Sequence, residues 1–390
     1  MSFNQYTWDL YKQTTIGIEM IKYFSDAGGY VLFKDYCPYA NFIPEDLYND
    51  WLENIYCYGV SDYDHPSSLE EAKDLYISLI TLGIRVEGQQ WLPANDFKNM
   101  LGIIQPMSYV LSQFAPEYFF PYLFLCRIFE LNKIADFFNI DLPNIPKRTD
   151  YKGRCMYYWE LCEVFYLFRK ENGLSPADLW SFLYDFAPNN LPSEKIDMPK
   201  PSQVWFIGGR LYQEDKSLES KFWQSSPETK KGDILVHYET SPISAITCIE
   251  ISLTDGVIDP LFRYYGCIYI GNRINIPHIT LKELQTDEYF FKHPLVRKNF
   301  QGVNGWSVNS ENYSELLRMI KTKGFDIEVL PKLYAPTLPK DVIIEYEHDV
   351  EQQLLEPLLN SMGWYENKDF IRQLPIQAGR GHRIFPDYAL

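Results

Sequence analysis

Two acidic residues near the C-terminus, Glu351 and Asp387, are the first whose type and position could do chemistry. Carboxylates are the hard oxygen ligands that Mg²⁺ and Ca²⁺ take from proteins. A solitary acid more often has a plainer role. In that case Glu351 caps a helix and Asp387 lies in an exposed turn. The choice between these roles depends on the elements that carry the two side chains.

The sequence around these acids predicts a helix followed by two strands. Asp349 has the position of an N-cap, and Gln352 follows at the spacing of a capping box. Apolar residues then recur at helical spacing, at Leu354, Leu355, Leu358, Leu359 and Met362. Pro357 is expected to kink this helix, and Gly363 is expected to end it. A strand and a turn are predicted at 370–376 and 379–381, followed by a second strand that ends in 385–390.

This order of elements resembles the N-terminal nuclease module of type I restriction motor subunits, a branch of the PD-(D/E)xK superfamily. The resemblance implies that Glu351 is the acid of the first helix and Asp387 is the aspartate of the PD pair. Both would ligate Mg²⁺, which stabilises the charge on the phosphate and activates water. A Glu-x-Lys motif on the next strand completes the site in that family. No such motif follows Asp387 here, and Lys368 precedes it.

We therefore expect residues 341–390 to be the first part of such a module. The chain alone is expected to be inactive and to hold no cofactor. A longer parent protein would be a Mg²⁺-dependent endodeoxyribonuclease. An alternative is that the module has lost its site.

Length and composition indicate a well-packed protein of two or three domains. Hydrophobic residues make up 46% of the 390 residues and aromatic residues 16%, which excludes a disordered chain. The longest apolar run, Tyr118 to Cys126, contains Pro121 and is too short to span a membrane. The N-terminus lacks the layout of a secretion signal. These features predict a cytoplasmic protein without a membrane partner.

The seven cysteines are scattered and form no Cys-x-x-Cys motif, and the six histidines are equally dispersed. Zinc sites need clustered ligands of these types, so a zinc site is not expected. Reduced and mostly buried thiols are the plain expectation.

The net charge of −16 argues against general coating of nucleic acid, because attraction to phosphate supplies most nonspecific affinity. Between Ile268 and Gly324, however, eight basic residues outnumber five acidic ones. A local basic surface favours a limited, specific contact with nucleic acid, although a plain solvated surface would look the same. The residues expected to contact the nucleic-acid backbone are Arg273, Lys292, Arg297 and Lys298.

Residues 1–197 read as a mostly helical domain whose role the sequence does not indicate. Ser67 and Ser68 precede a helix with an apolar stripe that ends at Gly83. The stretch 155–173 is a second clear helix, and Ser175-Pro176 starts a third. The many aromatic residues of this half fit ordinary core packing.

After Pro199 to Pro201 the hydrophobic period changes from helical to strand-like. Short strands with Gly and Pro turns are expected at 204–209, 234–238, 245–251 and 267–277, and a helix-like segment follows at 309–320. This alternation is typical of a small barrel. The predicted fold class is therefore α+β and multidomain, with a helical domain first, a β-barrel domain at 200–323 and a partial α/β module last.

The middle segment resembles the EVE domain, a member of the PUA-like superfamily. The resemblance rests on Val204-Trp205-Phe206, on the strand from Lys231-Gly232-Asp233 to Tyr238, on 246–251, and on the late loop 299–306. It implies a domain that binds a modified base, extruded from a duplex, in an aromatic-lined pocket. The candidate rings are Trp205, Trp223, Tyr238 and Trp306, and the candidate hydrogen-bonding groups are Asp259 and Asn304. Each tryptophan also fits ordinary core packing.

Together, the two resemblances imply modification-dependent restriction. One module would recognise a modified base in duplex DNA, and a metal-dependent nuclease, complete in a longer form, would cleave the DNA as an antiviral defence. A homodimer would fit two-strand cleavage. Two alternatives stay open. The protein is a non-catalytic reader or adaptor, or it is a sensor whose aromatic N-terminal half binds a ligand that controls the nuclease.

Overall fold

A computed structural model of the protein describes residues 3–38, 40–192, 198–211, 220–334 and 347–372, with two-residue strands at 376–377, 383–384 and 388–389. The fold class is α+β, and its main sheet is a curled half-barrel. Contacts divide the chain into two compact units. Unit 1 comprises 1–194 with 257–266, and unit 2 comprises 195–256 with 267–390. Residues 347–372 fall within unit 2, and the division into three domains stays a prediction.

Unit 1 is helical, as the sequence predicts. Its helices are α1 (Gln5–Gln13), α2 (Thr15–Asp26), α3 (Gly29–Tyr36), α4 (Glu45–Cys57), α5 (Leu69–Leu82), α6 (Phe97–Met100), α7 (Ile104–Phe114), α8 (Ile128–Phe138), α9 (Tyr151–Glu171), α10 (Pro176–Ser181) and α11 (Ala187–Asn190). The strands β1 (Ile84–Val86) and β2 (Gln89–Leu92) form a small hairpin. The predicted caps are present: Ser68 Oγ accepts from the Glu71 amide, and Ser175 forms a capping box with Asp178.

The core of unit 1 is built from large aromatic side chains. Trp8, Tyr48, Tyr76, Tyr158 and Trp159 are fully buried. Several of these rings keep a polar partner, as when the Tyr76 hydroxyl donates to the Cys155 carbonyl oxygen at 2.7 Å. The expectation that the aromatic residues of this half form a core is confirmed.

Two helices contain a π-helical turn, and each turn lies just before a proline. Phe182–Phe186 joins α10 to α11, ahead of Pro188, and Glu351–Leu355 precedes Pro357. Proline has no N–H to donate and its ring clashes with the carbonyl four residues earlier, so the wider turn accommodates it. Where a kink was predicted at Pro357, the helix therefore contains a wider, π-helical turn.

The sheet of unit 2 has the order β4-β8-β6-β5-β3-β9. Its strands are β3 (Val204–Gly209), β4 (Ser220–Gln224), β5 (Ile234–Glu239), β6 (Ala245–Ser252), β8 (Gly266–Thr280) and β9 (Trp306–Val308). The short strand β7 (Val257–Ile258) lies in the segment that belongs to unit 1. Strands β3 and β5 are parallel, and the other neighbours along this order are antiparallel.

The two faces of this sheet carry different residues, because side chains alternate along each strand. Val204, Phe206, Val236 and Tyr238 belong to the larger core. Helices cover that face: α12 (Leu281–Thr286), α13 (Pro294–Arg297) and α14 (Ser310–Thr322). The opposite face holds a second, smaller cluster of Trp205, Ile207, Leu235, Ile268 and Ile270, with Trp223 packed against it. We call this second surface the Trp223 face.

The C-terminal helix α15 runs through Glu347–Val350, Glu351–Leu355 and Glu356–Ser361. Asp349 lies inside this helix, so the prediction that it is the N-cap is wrong. Four short strands follow: β10 (Ile371–Arg372), β11 (Ile376–Gln377), β12 (Arg383–Ile384) and β13 (Tyr388–Ala389). β10 pairs with β13, and β11 pairs with β12. Asp387 and the predicted turn 379–381 lie outside the described residues.

Contacts within unit 2 hold the segment that follows α15. The Lys230 ammonium group is paired with the Asp369 carboxylate and lies 4.7 Å from the centre of the Trp364 ring. Lys368 donates to Asp255 at 2.9 Å. Among the described helices, none is long and apolar enough to cross a membrane.

Candidate functional site

A group of charged side chains lies on the Trp223 face of unit 2, where an apolar core would otherwise continue. Strand register places them there. Leu235 pairs with Glu250, and His237 pairs with Cys248, so these residues share one face. Lys221 and Trp223 of β4 pair with Ile270 and Ile268 of the smaller cluster. We call Lys221, Trp223, His237, Glu250 and Arg273 the Glu250 cluster.

β-Bulges turn Arg273 toward the other members of the cluster. The pairing of β6 with β8 shifts between Ile249 and Ile251, which pair with Ile274 and Gly271. Asn272 and Arg273 therefore both lie opposite Glu250, and Asn272 has a positive φ of 52°. A further shift in register occurs at His237/Tyr238. Bulges re-aim side chains and are frequent beside functional sites.

Glu250 is the centre of the cluster and is 2% exposed. Its Oε1 atom accepts from Lys221 Nζ at 3.0 Å and from Arg273 Nε at 3.0 Å. Its Oε2 atom lies 3.1 Å from His237 Nδ1. The side chain of Lys221 is 5% exposed, and that of Arg273 is 13% exposed. Buried ions of this kind are stable only when they are paired.

The protonation states follow from these contacts. Burial alone would raise the pKa of Glu250, but the hydrogen bond from His237 and the nearby positive charges outweigh it and lower the pKa to about 2. Burial lowers the pKa of His237, despite its contact with Glu250. At neutral pH, Glu250 is therefore ionised and His237 is neutral. A neutral imidazole beside a carboxylate donates from Nδ1, which leaves Nε2 as a bare acceptor.

Three buried polar atoms of the cluster have no hydrogen-bond partner anywhere in the described part of the chain. They are Trp223 Nε1, His237 Nε2 and Arg273 Nη2. Nearly all buried polar atoms in native proteins are paired, because leaving one unpaired costs about 1–3 kcal/mol. The described residues hold seven further unpaired buried atoms, so the distinguishing feature of this cluster is that two donors and one acceptor lie on neighbouring side chains. Such a grouping suits a polar ligand.

The Trp223 ring supplies an apolar surface beside these atoms. It is partly exposed, in contrast to its buried neighbours. Its centroid lies 4.9 Å from that of His237, and Lys221 Nζ lies 5.4 Å from the ring centre. Gly209 leaves room for the ring, since a Cβ at this position would lie 2.6 Å from the indole. A flat ring beside unpaired polar atoms suits a flat heterocycle.

The same cluster does not suit a metal ion. Ligand atoms of His237, Cys248 and Glu250 lie within 4.8 Å of one another. Both Glu250 oxygens are already in contact with cationic or N–H groups, and the charges of Lys221 and Arg273 oppose a further cation. Burial raises the pKa of Cys248 to about 12, so its thiol is protonated. We therefore assign no metal to these residues.

Two of the four rings predicted for the base pocket lie in cores. Trp205 is 2% exposed, and its Nε1 atom donates to Asp233 at 2.8 Å, so it forms the floor of the Trp223 face. Tyr238 lies on the helix-covered face and stacks on Phe300 with a centroid distance of 4.0 Å. Strand alternation separates Tyr238 from His237. Trp205 and Trp223 therefore lie on one face of the sheet and Tyr238 on the other, so the structure does not bring the three predicted rings together.

The remaining predicted pocket residues lie elsewhere. Asp259 is fully buried in unit 1, where it accepts from the amides of Leu261 and Phe262. Asn304 accepts from the Gly208 amide at 2.8 Å and supports the end of β3. Trp306 packs against the helix-covered core. The structure brings none of these three into the Glu250 cluster.

The four basic residues predicted to contact the nucleic-acid backbone divide into two groups. Arg273 is turned inward and paired with Glu250, because the bulge in β8 re-aims it, so its expected contact with phosphate is corrected. Lys292, Arg297 and Lys298 are exposed around α13. Lys292 also lines a surface cleft of about 330 Å³ with Glu288, Tyr289, His293 and Asn312. These three stay candidates for phosphate contact.

Glu351, the predicted helix acid of the nuclease site, is paired with Arg372 at 3.7 Å. Arg372 also pairs with Glu356, so the two acids already share one cation. Asp387 lies outside the described residues, so the predicted pair of metal ligands stays a prediction.

Sequence reasoning missed Lys221, His237 and Glu250. A signal was present, since ILVHY places His237 inside an apolar strand and AITCIEI places Thr247 and Glu250 inside another. Strand period alone assigns such a residue to a face, but only the pairing of strands shows that several of them meet.

No protein-family model matches this sequence, and no curated protein matches it. Two solved structures are similar to part of it. An NMR structure of Rpa0253 from Rhodopseudomonas palustris is 14% identical, with 31% of this chain and 94% of that chain covered and a TM-score of 0.27. The structure of a hypothetical protein from Leishmania major is 12% identical, with 32% and 98% covered and a TM-score of 0.27.

Proposed function

We propose that unit 2 binds a modified nucleobase of DNA at the Glu250 cluster, against the Trp223 ring. The observation that supports this most is the set of unpaired polar atoms on Trp223, His237 and Arg273. A nucleobase is flat and presents donors and acceptors along one edge. We expect its edge to pair with these atoms and its face to cover the indole.

The energies of base extrusion and binding are comparable. Extruding a base from a duplex costs a few kcal/mol. Stacking on an aromatic side chain returns about 1–3 kcal/mol per base. Pairing the three buried atoms removes their desolvation cost as well. The choice of a modified base over an ordinary one rests on the resemblance of this segment to the EVE domain.

Charge determines which other residues of unit 2 are expected to contact DNA. A chain with net charge −16 attracts DNA only where basic residues are gathered. Lys292, Arg297 and Lys298 are such exposed residues in unit 2. Binding is therefore expected to involve few phosphates and to depend only weakly on salt.

The first prediction concerns affinity for modified DNA. Duplexes that carry one modified cytosine, starting with 5-methylcytosine and 5-hydroxymethylcytosine, are expected to bind more tightly than the same unmodified duplex. Trp223→Ala is expected to remove the preference, because about 1–3 kcal/mol of stacking is lost. Fluorescence anisotropy with labelled duplexes measures both effects.

Trp306→Ala is the matched control, because this ring is also partly buried in unit 2 but packs against the helix-covered core. It is expected to keep the preference, as is Tyr238→Phe. Equal affinity of the natural protein for all modified and plain duplexes would contradict the proposal. A preference that survives Trp223→Ala and disappears in Trp306→Ala would move the site to the other face of the sheet.

A second function is favoured by a cleft in unit 1. Leu52, Tyr56, His65, Tyr109 and Phe114 are among the residues that line a space of about 340 Å³, and His65 stacks on Phe114 at 4.1 Å. Aromatic clefts of this size suit small ligands, as a sensor would require. Native mass spectrometry of the purified protein would detect a ligand that copurifies. Cleavage of DNA by a longer form stays a prediction.

A further inference from the structure

We propose that the modified base bound at the Glu250 cluster carries an oxidised, acceptor-rich substituent, a formyl or carboxyl group, rather than a plain methyl group. This inference rests on the proposed function, because it names the chemical class of modification that the same site would select.

The first argument is charge. Lys221 and Arg273 bring two positive charges to a buried place, and Glu250 brings one negative charge. His237 is neutral at pH 7, since burial lowers its pKa. The four side chains therefore carry an excess of one positive charge. A buried excess charge is costly unless something compensates it, and an anionic or strongly electron-rich ligand group would do so.

Among the described residues, two further buried carboxylates lie at this face: Asp233, which accepts from Trp205 Nε1 at 2.8 Å, and Glu239, two residues beyond His237 on β5. Glu239 has interactions of its own. Among the described residues, the ion pairs of Lys221 and Arg273 are with Glu250. The positive charge that Glu250 does not balance therefore lies in the same cluster as the unpaired atoms.

The second argument counts hydrogens. An ammonium group has three N–H donors and a guanidinium group has five. Glu250 takes one contact from Lys221 and one from Arg273 Nε, while Arg273 Nη2 and Trp223 Nε1 have no partner within the described residues. The only unpaired acceptor of the cluster in that part of the chain is His237 Nε2. Donors therefore exceed acceptors, so a complementary ligand offers more acceptors than donors.

The edge of cytosine presents two acceptors and one amino donor, which matches Trp223, Arg273 and His237 in number. Lys221 then still has N–H groups that can donate to a carboxylate or formyl oxygen of the ligand. A methyl group offers nothing to these groups and would bury them further. Hydrogen bonds from a charged donor are stronger than those from a neutral one.

The second prediction tests this inference with one duplex sequence in five forms. The central cytosine is unmodified, or it carries a 5-methyl, 5-hydroxymethyl, 5-formyl or 5-carboxyl group. Affinity is expected to rise from methyl to formyl to carboxyl, and the carboxyl duplex is expected to bind about ten-fold tighter than the methyl duplex. Competition against one labelled duplex at constant salt gives the ratios.

Lys221→Met keeps the length of the side chain and removes its charge. This change is expected to bring the carboxyl and methyl duplexes to within about two-fold of each other, because one charged donor is lost. Lys221→Arg keeps the charge and serves as a second variant if Lys221→Met does not fold. It is expected to retain the preference. Lys282→Met is the matched control, since Lys282 is exposed on α12.

The outcomes separate the two proposals. If the methyl duplex binds as tightly as the carboxyl duplex or more tightly, and both bind better than plain DNA, the inference is wrong and the proposed function stands. If no modified duplex binds better than plain DNA, the proposed function itself fails. A carboxyl preference that Lys221→Met leaves unchanged would also overturn the role given to Lys221.

Discussion

At the scale of residues, Glu250 organises the proposed site, because this one buried carboxylate holds two cations and a histidine in place. Its contacts to Lys221, Arg273 and His237 all lie between 3.0 and 3.1 Å. Removing one partner of a buried ion pair lowers stability by more than the intact pair contributes, because an uncompensated charge stays buried. Glu250 is thus a positioning residue, which orients the atoms that would contact a ligand.

The third prediction follows from this geometry. Glu250→Gln keeps the shape and removes the charge, so Lys221 and Arg273 lose their counter-ion. We expect unfolding in urea to show a loss of about 3–5 kcal/mol. The matched control is Glu328→Gln, whose ion pair with Lys332 is largely exposed. That change is expected to stay within about 0.5 kcal/mol. Equal effects of the two substitutions would show that the cluster does not bear on stability.

At the scale of elements, hydrophobic period and capping residues predicted part of the fold. The helices at 69–82, 151–171 and 176–181 and the strands at 204–209, 234–239 and 245–252 lie close to where the pattern placed them. Caps such as Ser68 and Ser175 were readable because their chemistry is local. The position of Asp349 was misread, since a good capping residue also occurs inside helices.

The pocket was harder to predict than the strands. Aromatic type alone does not distinguish Tyr238, which stacks in a core, from Trp223, which remains partly exposed. Arg273 was expected at the surface, but a bulge in β8 turns it toward Glu250. Bulges and cross-strand pairing arise from contacts that are distant in sequence, so a single sequence does not reveal them.

The fourth prediction concerns Val257–Gly266, the segment that belongs to unit 1 although strands of unit 2 flank it. Within it, Asp259 is fully buried, and burial raises the pKa of its carboxyl to about 7, against the effect of backbone amides and of Arg154. Arg154 holds the same segment by donating to the carbonyl oxygens of Pro260 and Phe262 at 2.8 and 2.7 Å.

An elevated carboxyl pKa makes stability fall as pH rises. The unfolded carboxyl releases its proton near pH 4, whereas the folded one keeps it up to about pH 7. Over that interval the folded state binds more protons, and this group lowers stability on the order of 1 kcal/mol per pH unit. Asp259→Asn is expected to remove this part of the dependence in urea unfolding between pH 4.5 and about 7.5. An unchanged pH profile would contradict the assignment.

At the scale of the whole molecule, an acidic chain is proposed to bind an acidic polymer. The net charge of −16 works against this, so the account places affinity in one buried cluster rather than in a broad basic surface.

The most direct test of the central claim, and the fifth prediction, is the indole N–H spectrum of ¹⁵N-tryptophan-labelled protein during titration with a duplex that carries one modified cytosine. Trp223→Phe and Trp306→Phe assign the two relevant signals among the nine tryptophans. The account predicts that the Trp223 signal shifts strongly, because its unpaired Nε1 gains an acceptor, while the Trp306 signal stays in place. A duplex that binds while the Trp223 signal remains unmoved would contradict the account.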